Sequence, residues 1–199
     1  MPTQTLSAIT SAMASKRALF IGLAAAVSLG GSARAEPLSA CIWGKLSPAE
    51  HSRVLAAYAH DMASGAAALD KLSGKLKAGA AVCAKRRDIP ADWVPTLAGA
   101  EAVQTYVASA LSGRGLDRPK LDAAWAAAPP NVAACVRANG RLAFYPNGTG
   151  CTDPTASAWL LRRVGLAPNQ PPASLQATYY FNAKAIGEWG DSLVAKLKR

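Results

Sequence analysis

Alanine constrains the fold of this chain more than any other residue, because it occupies 45 of the 199 positions. It has the highest intrinsic helix propensity. Apolar residues recur at helical spacing between Gly, Pro, Asn and Asp breaks, and no run of alternating β-branched residues indicates a strand. The sequence therefore predicts an all-α fold, a small helical bundle of about five to seven helices.

The first 35 residues have the order of a secretory signal peptide. Lys16 and Arg17 precede an apolar run of about 12 residues, and Ala33 and Ala35 then supply small residues for cleavage. That run is shorter than the roughly 20 residues that a membrane-spanning helix needs. We expect residues 1–35 to be removed and residues 36–199 to form a single all-α domain, periplasmic or secreted from a bacterium.

Residues 38–41, Leu-Ser-Ala-Cys, have the form of a bacterial lipoprotein box, in which Cys41 would carry the lipid. Arg34, Glu36 and Pro37 separate this tetrapeptide from the apolar run, whereas lipoprotein signals usually keep the two contiguous. We expect membrane association only if Cys41 is lipidated.

The chain has four cysteines, and in an exported protein that number predicts two disulfides. Their spacing contains neither C-x-x-C nor C-x-x-C-H, which excludes a thioredoxin-like redox pair, a zinc knuckle and covalent haem. Three pairings are possible. We favour the one that joins neighbours in sequence, Cys41–Cys83 and Cys135–Cys151.

The stretch from Cys135 to Cys151 differs from the alanine-rich sequence around it. It holds three glycines, two asparagines and a proline, which favour turns, so residues 139–151 are predicted to form one irregular loop. Residues 131–138 are predicted to form a short helix ending at Asn139-Gly140. The alternative is a hairpin that turns on the same two residues.

This loop is also the candidate binding site. Arg137 and Arg141 would supply charge-assisted contacts to an anionic group, and Phe144 and Tyr145 would supply apolar area. A structural interpretation opposes this one: the two rings could fill the end of the bundle while the arginines are solvated.

Other local signals place the remaining helices. Ser47 and Glu50 form a capping box at a helix start, and Ser64-Gly65 is predicted to end that helix. A further helix is predicted for residues 96–111, after a connector over residues 85–95 that contains two prolines and Trp93. The last helix, from about Ala173, is predicted to pack against the bundle through an apolar stripe made of Leu175, Tyr179, Asn182, Ile186, Trp189 and Leu193.

Residues with catalytic chemistry are sparse. His51 and His60 are nine positions apart on one predicted helix, so they face opposite sides and cannot share a metal ion. No nucleophile motif such as G-x-S-x-G occurs. We expect no catalytic residue, no metal and no cofactor. One alternative stays open, a pair of carboxylates acting as in glycosidases, drawn from Glu50, Glu101 and Glu188.

Lysine and arginine exceed aspartate and glutamate by 22 to 12. Export argues against nucleic acid as the partner of this charge and favours anionic envelope components or acidic proteins. The sequence thus predicts an exported, non-catalytic helical module that binds an anionic envelope component or a partner protein through the 135–151 loop. The alternative is a small cell-wall-directed hydrolase with Glu50 or Glu101 as general acid.

Overall fold

The computed structural model describes residues 36–84 and 88–197, so the predicted signal peptide lies outside the described residues. Within these ranges the chain forms α-helices and no strand, which confirms the all-α prediction. The described helices are α1 (Leu38–Trp43), α2 (Pro48–His60), α3 (Met62–Asp70), α4 (Ser73–Cys83), α5 (Trp93–Ser112), α6 (Arg118–Ala126), α7 (Pro130–Arg141), α8 (Pro154–Arg163) and α9 (Ala173–Lys196).

Both predicted disulfides are present. Cys41–Cys83 joins α1 to the end of α4 with Cα atoms 5.9 Å apart, and Cys135–Cys151 joins α7 to the segment before α8 at 5.1 Å. Two such bonds are typical of an oxidising compartment outside the cytoplasm. Over the part of the chain that the structure describes, none of the helices combines the length and the apolar character needed to cross a membrane.

Local capping explains where several helices begin. The Ser47 side chain accepts from the Glu50 amide, and the Glu50 carboxylate accepts from the Ser47 amide at 2.8 Å, which confirms the capping box. Asp117 and Asp153 cap α6 and α8 with one hydrogen bond each, accepted from the amides of Lys120 and Thr155, and each of these helices has a proline in its first turn. These capping side chains accept hydrogen bonds from first-turn amides that would otherwise have no partner within the helix.

The predicted break at Ser64-Gly65 is wrong, because the helix is interrupted earlier, at Asp61. Asp61 is extended (φ −166°, ψ 166°) and its side chain accepts from the Ser64 amide at 2.6 Å, so it caps α3. Gly65 lies in the first turn of α3, where a Cβ would overlap the ring of Tyr58. Glycine is needed at this position so that α3 can pack against α2, and not to form a turn.

The centre of the fold is formed by α5 and α9, which contact each other more than any other pair of helices. α5 is 20 residues long and begins at Trp93, so Trp93 belongs to the helix rather than to the predicted connector. One apolar cluster joins α5 to α6–α9, and a second joins it to α1–α4.

The stripe predicted to bury α9 is not its innermost face. Leu175 is 50% exposed, and the other five members are only half-buried. The innermost positions are mostly small residues, because α9 packs closely against both α5 and α7. They include Ala173, Ala177, Ala183, Ala185, Gly187 and Gly190, with Tyr180 and Phe181.

Residues 131–138 are helical, as favoured over the hairpin, but α7 continues to Arg141. Asn139-Gly140 does not stop the helix. A Cβ at Gly140 would lie 2.9 Å from the carbonyl carbon of Ala185, so this glycine permits the close approach of α7 to α9. The irregular segment therefore starts at residue 142, and we call residues 142–153 the connecting loop.

Candidate binding site

Hydrogen bonds to α7 hold the connecting loop in place. The Arg141 carbonyl accepts from the amides of Phe144 and Tyr145 at 3.1 and 3.0 Å. The Asn139 side-chain oxygen accepts from the Cys151 amide at 2.7 Å, next to the Cys135–Cys151 disulfide. Both ends of the loop are thus fixed to the last turn of α7.

The loop places two rings between two tryptophans, and we call Trp93, Phe144, Tyr145 and Trp189 the aromatic cluster. The Trp93 ring centroid lies 5.5 Å from that of Phe144 and 5.9 Å from that of Tyr145. The Trp189 centroid lies 5.0 and 5.3 Å from the same two rings. Since Trp93 begins α5 and Trp189 belongs to α9, the loop is anchored on the two central helices.

The two rings of the loop differ in exposure. Phe144 is only 8% exposed and belongs to the apolar core, so for this residue the structural interpretation holds. Gly190 leaves room for it, since a Cβ there would come within 3.2 Å of the Phe144 ring and would overlap Leu97. Tyr145 is 46% exposed although both tryptophans contact it. The loop therefore offers Tyr145, rather than Phe144, to a ligand.

Arg137 is engaged within the protein. Its guanidinium donates to one oxygen of Glu188 from Nε at 3.1 Å and from Nη2 at 3.0 Å. It also lies 5.3 Å from the ring centroid of Trp125, whose indole nitrogen donates to the other Glu188 oxygen at 2.7 Å. These contacts connect α7 to α6 and α9, and they reduce what Arg137 can offer to a ligand.

Arg141 is exposed, one helical turn before Tyr145. Its Nη2 donates to the Thr149 carbonyl at 3.3 Å, across the connecting loop. Within residues 36–84 and 88–197 no carboxylate forms an ion pair with it. Of the two candidate arginines, Arg141 is the one available to an anionic group.

Sequence reasoning missed two members of this site. The sequence pattern places Trp93 in the connector before α5 and Trp189 on the predicted inward stripe of the last helix. No local pattern relates either tryptophan to Tyr145, because they come together only when α5 and α9 pack. Their size and aromatic character were the only signal.

The three candidate glutamates of the hydrolase alternative each have their own basic partner. Lys75 pairs with Glu50, Arg118 with the buried Glu101, and Arg137 with Glu188. The hydrogen bond from Lys75, reinforced by Ser47, lowers the pKa of Glu50 to about 2. A general acid needs a raised pKa instead, so Glu50 is poorly suited to that role.

The histidines lie in unrelated environments. His51 stacks on Trp43 with ring centroids 4.2 Å apart, and its Nε2 is 2.8 Å from the Trp43 carbonyl oxygen, which fastens α2 to α1. His60 is exposed and its Nδ1 contacts the Asp61 carboxylate. In this geometry His51 is structural, and His60 is the last residue of α2, next to the Asp61 cap of α3.

Together, the fold and the site define a disulfide-linked all-α bundle that presents a tyrosine, two tryptophans and an arginine beside one connecting loop. Comparison with protein-family models, with curated proteins and with solved structures finds no match to this chain.

Proposed function

We propose that the protein is an exported, non-catalytic binding module, periplasmic or secreted, that binds a partner protein through the connecting loop. The contact surface consists of the exposed face of the Tyr145 ring, the edges of Trp93 and Trp189, and the Arg141 guanidinium. Phe144 packs against the same two tryptophans within the core, and the Cys135–Cys151 disulfide ties the far end of the loop to α7.

The observation that carries this proposal is the state of Tyr145. Nearly half of the side chain is exposed, and yet two tryptophans and a backbone hydrogen bond determine its position. A ring that is already held loses little conformational entropy on binding. Tyr, Trp and Arg also dominate the residues that contribute most to protein–protein affinity.

The charge of the site indicates the chemistry of the partner. Arg141 uses one nitrogen for the Thr149 carbonyl, which leaves other N–H groups for a carboxylate. Residues 36–199 contain 19 lysines and arginines against 12 aspartates and glutamates, and this excess of positive charge favours encounter with an acidic surface. The partner proposed here presents an acidic side chain next to an apolar pocket that receives Tyr145.

The disulfides support the location. The Cys41 sulfur is bonded to Cys83, and a sulfur in a disulfide cannot also form the thioether of a lipoprotein. This favours the form cleaved after Ala35 over the lipid-anchored form.

Affinity capture with matched variants tests the proposal. Oxidised protein comprising residues 36–199 would be immobilised and exposed to an envelope extract of the source bacterium, using wild type, Tyr145→Ala, Arg141→Ala and the control Leu175→Ala. Leu175 is an exposed apolar residue outside the aromatic cluster. A captured protein would be identified by mass spectrometry and its affinity measured with the purified pair.

We expect each site variant to weaken binding by about tenfold or more, the effect of losing one strong interface contact, and Leu175→Ala to leave it unchanged. The other ligand that the sequence suggests is an anionic envelope polymer. Its binding would be lost in the Arg141→Ala variant and retained in the Tyr145→Ala variant. Equal capture by all four proteins would contradict a site on the connecting loop.

A further inference from the structure

A separate cavity of about 350 Å³ lies between α2, α3, α5 and α9. Its walls are mostly apolar, with Met62 and Leu69 from α3, Val103 from α5 and Ile186 from α9. A cavity of roughly 150 Å³ accommodates a benzene molecule. The present one therefore has room for an organic molecule about twice that size.

One buried polar group faces this apolar space. Tyr58 lines the cavity and is only 5% exposed. Among the described residues its hydroxyl makes no hydrogen bond, although buried hydroxyls nearly always have a partner. Burial, together with the nearby Asp70 charge, raises the pKa of Tyr58 to about 12. The hydroxyl therefore stays protonated and can both donate and accept.

The charge of the cavity is negative, in contrast to that of the whole chain. Asp70, at the end of α3, is exposed and is the single charged residue among the lining residues. No cation within the described ranges forms an ion pair with it. Its chain neighbour Lys71 lines a different depression, together with Arg53.

We propose that this cavity binds a small organic cation, an amine carried on an apolar body about the size of two fused rings. The ammonium group contacts the Asp70 carboxylate, and a polar atom of the ligand contacts the Tyr58 hydroxyl. The apolar body lies against Met62, Leu69 and Ile186. This site is independent of the connecting loop, so the failure of either proposal leaves the other standing.

Three matched probes test the charge preference of the cavity: 2-(2-naphthyl)ethylamine, 2-(2-naphthyl)ethanol and the carboxylate of 2-naphthylacetic acid. They share the same apolar body and are cationic, neutral and anionic at neutral pH. Calorimetric titration of the oxidised protein would measure each affinity. We expect the amine to bind about tenfold more tightly than the alcohol, and the anion to bind most weakly.

Three variants and a control test the assignment of the residues. Asp70→Asn should lower the affinity for the amine about tenfold, and Tyr58→Phe should lower it about fivefold. Ala66→Phe places a ring in the cavity from an exposed position and should abolish binding. Asp88→Asn removes an exposed carboxylate that does not line the cavity, and it should change nothing.

Thermal unfolding of each variant would show whether it is folded. If Tyr58→Phe does not fold, Asp70→Asn and Ala66→Phe still test the assignment. Absence of amine binding at millimolar concentration would overturn the proposal. So would equal affinity for the three probes, or amine binding that Asp70→Asn leaves unchanged.

Discussion

Replacing Gly140 by alanine tests the close packing of α7 on α9. A Cβ at this position would lie 2.9 Å from the carbonyl carbon of Ala185, 3.0 Å from its Cβ and 3.0 Å from the amide nitrogen of Ile186. Two of these three atoms belong to the backbone of α9, a helix of 24 residues, which cannot yield as a flexible side chain would. The substitution therefore has to separate the two helices.

The magnitude follows from two opposing terms. Alanine in a helix is more favourable than glycine by about 0.5–1 kcal/mol, whereas an extra carbon in a packed interior costs about 1–3 kcal/mol. Contact with backbone atoms puts the cost at the upper end, so we expect Gly140→Ala to destabilise the protein by about 2 kcal/mol. The matched control is Gly74→Ala in α4, where a Cβ meets nothing within 4 Å. It should stabilise by about 0.4–1 kcal/mol.

Equilibrium unfolding of oxidised protein in urea, followed by far-UV circular dichroism, measures both changes. We expect effects of opposite sign for the two alanine variants. If Gly140→Ala also stabilised the protein, α7 and α9 could not approach as closely as described, and Asn139-Gly140 would serve as an ordinary helix end.

Three further changes have definite expected results. Replacing Cys135 and Cys151 together by serine should cost about 3 kcal/mol by loop entropy while circular dichroism shows the helix content retained; a large loss of helix would contradict independent packing of the helices. The hydrogen bonds that lower the pKa of Glu50 to about 2, chiefly from Lys75, stabilise the fold fully above a pH of about 4.5 and are lost as the pH falls towards 2. Glu50→Gln should therefore flatten the dependence of Tm on pH in that window, and an unchanged slope would exclude this pair as a contributor. Ser47→Ala should cost about 1 kcal/mol in urea unfolding because it removes the cap of α2, and a neutral effect would mean that the cap is dispensable.

Much of the fold could be predicted because its signals are local. The caps at Ser47 and Asp153 depend on residues within one turn of each other. The disulfide pairing joined neighbours in sequence, as expected. The break at Asp61 also has a local cause, since its side chain accepts a hydrogen bond from the Ser64 amide. The Ser64-Gly65 pair is nevertheless the stronger breaker signal in the sequence. The reason for Gly65 lies in the distant ring of Tyr58.

What the sequence could not show depends on contacts between distant helices. Steps of four and three residues predict the stripe on α9, yet small residues such as Ala185 and Gly190 are innermost because two neighbouring helices approach them closely. The sequence predicts a candidate site made of Arg137, Arg141, Phe144 and Tyr145. Its tryptophans, and the pairing of Arg137 with Glu188, required the packing of α5, α7 and α9.

Photo-crosslinking in the source organism tests the proposed binding function most directly. The full chain would be produced with Tyr145→p-benzoylphenylalanine or, as the control, Leu175→p-benzoylphenylalanine, since both positions are about half exposed. We expect a crosslink from position 145 to one acidic partner protein, strongly reduced when Arg141→Ala is added, and none to that partner from position 175. No adduct at position 145, or the same adducts from both positions, would contradict a partner site on the connecting loop.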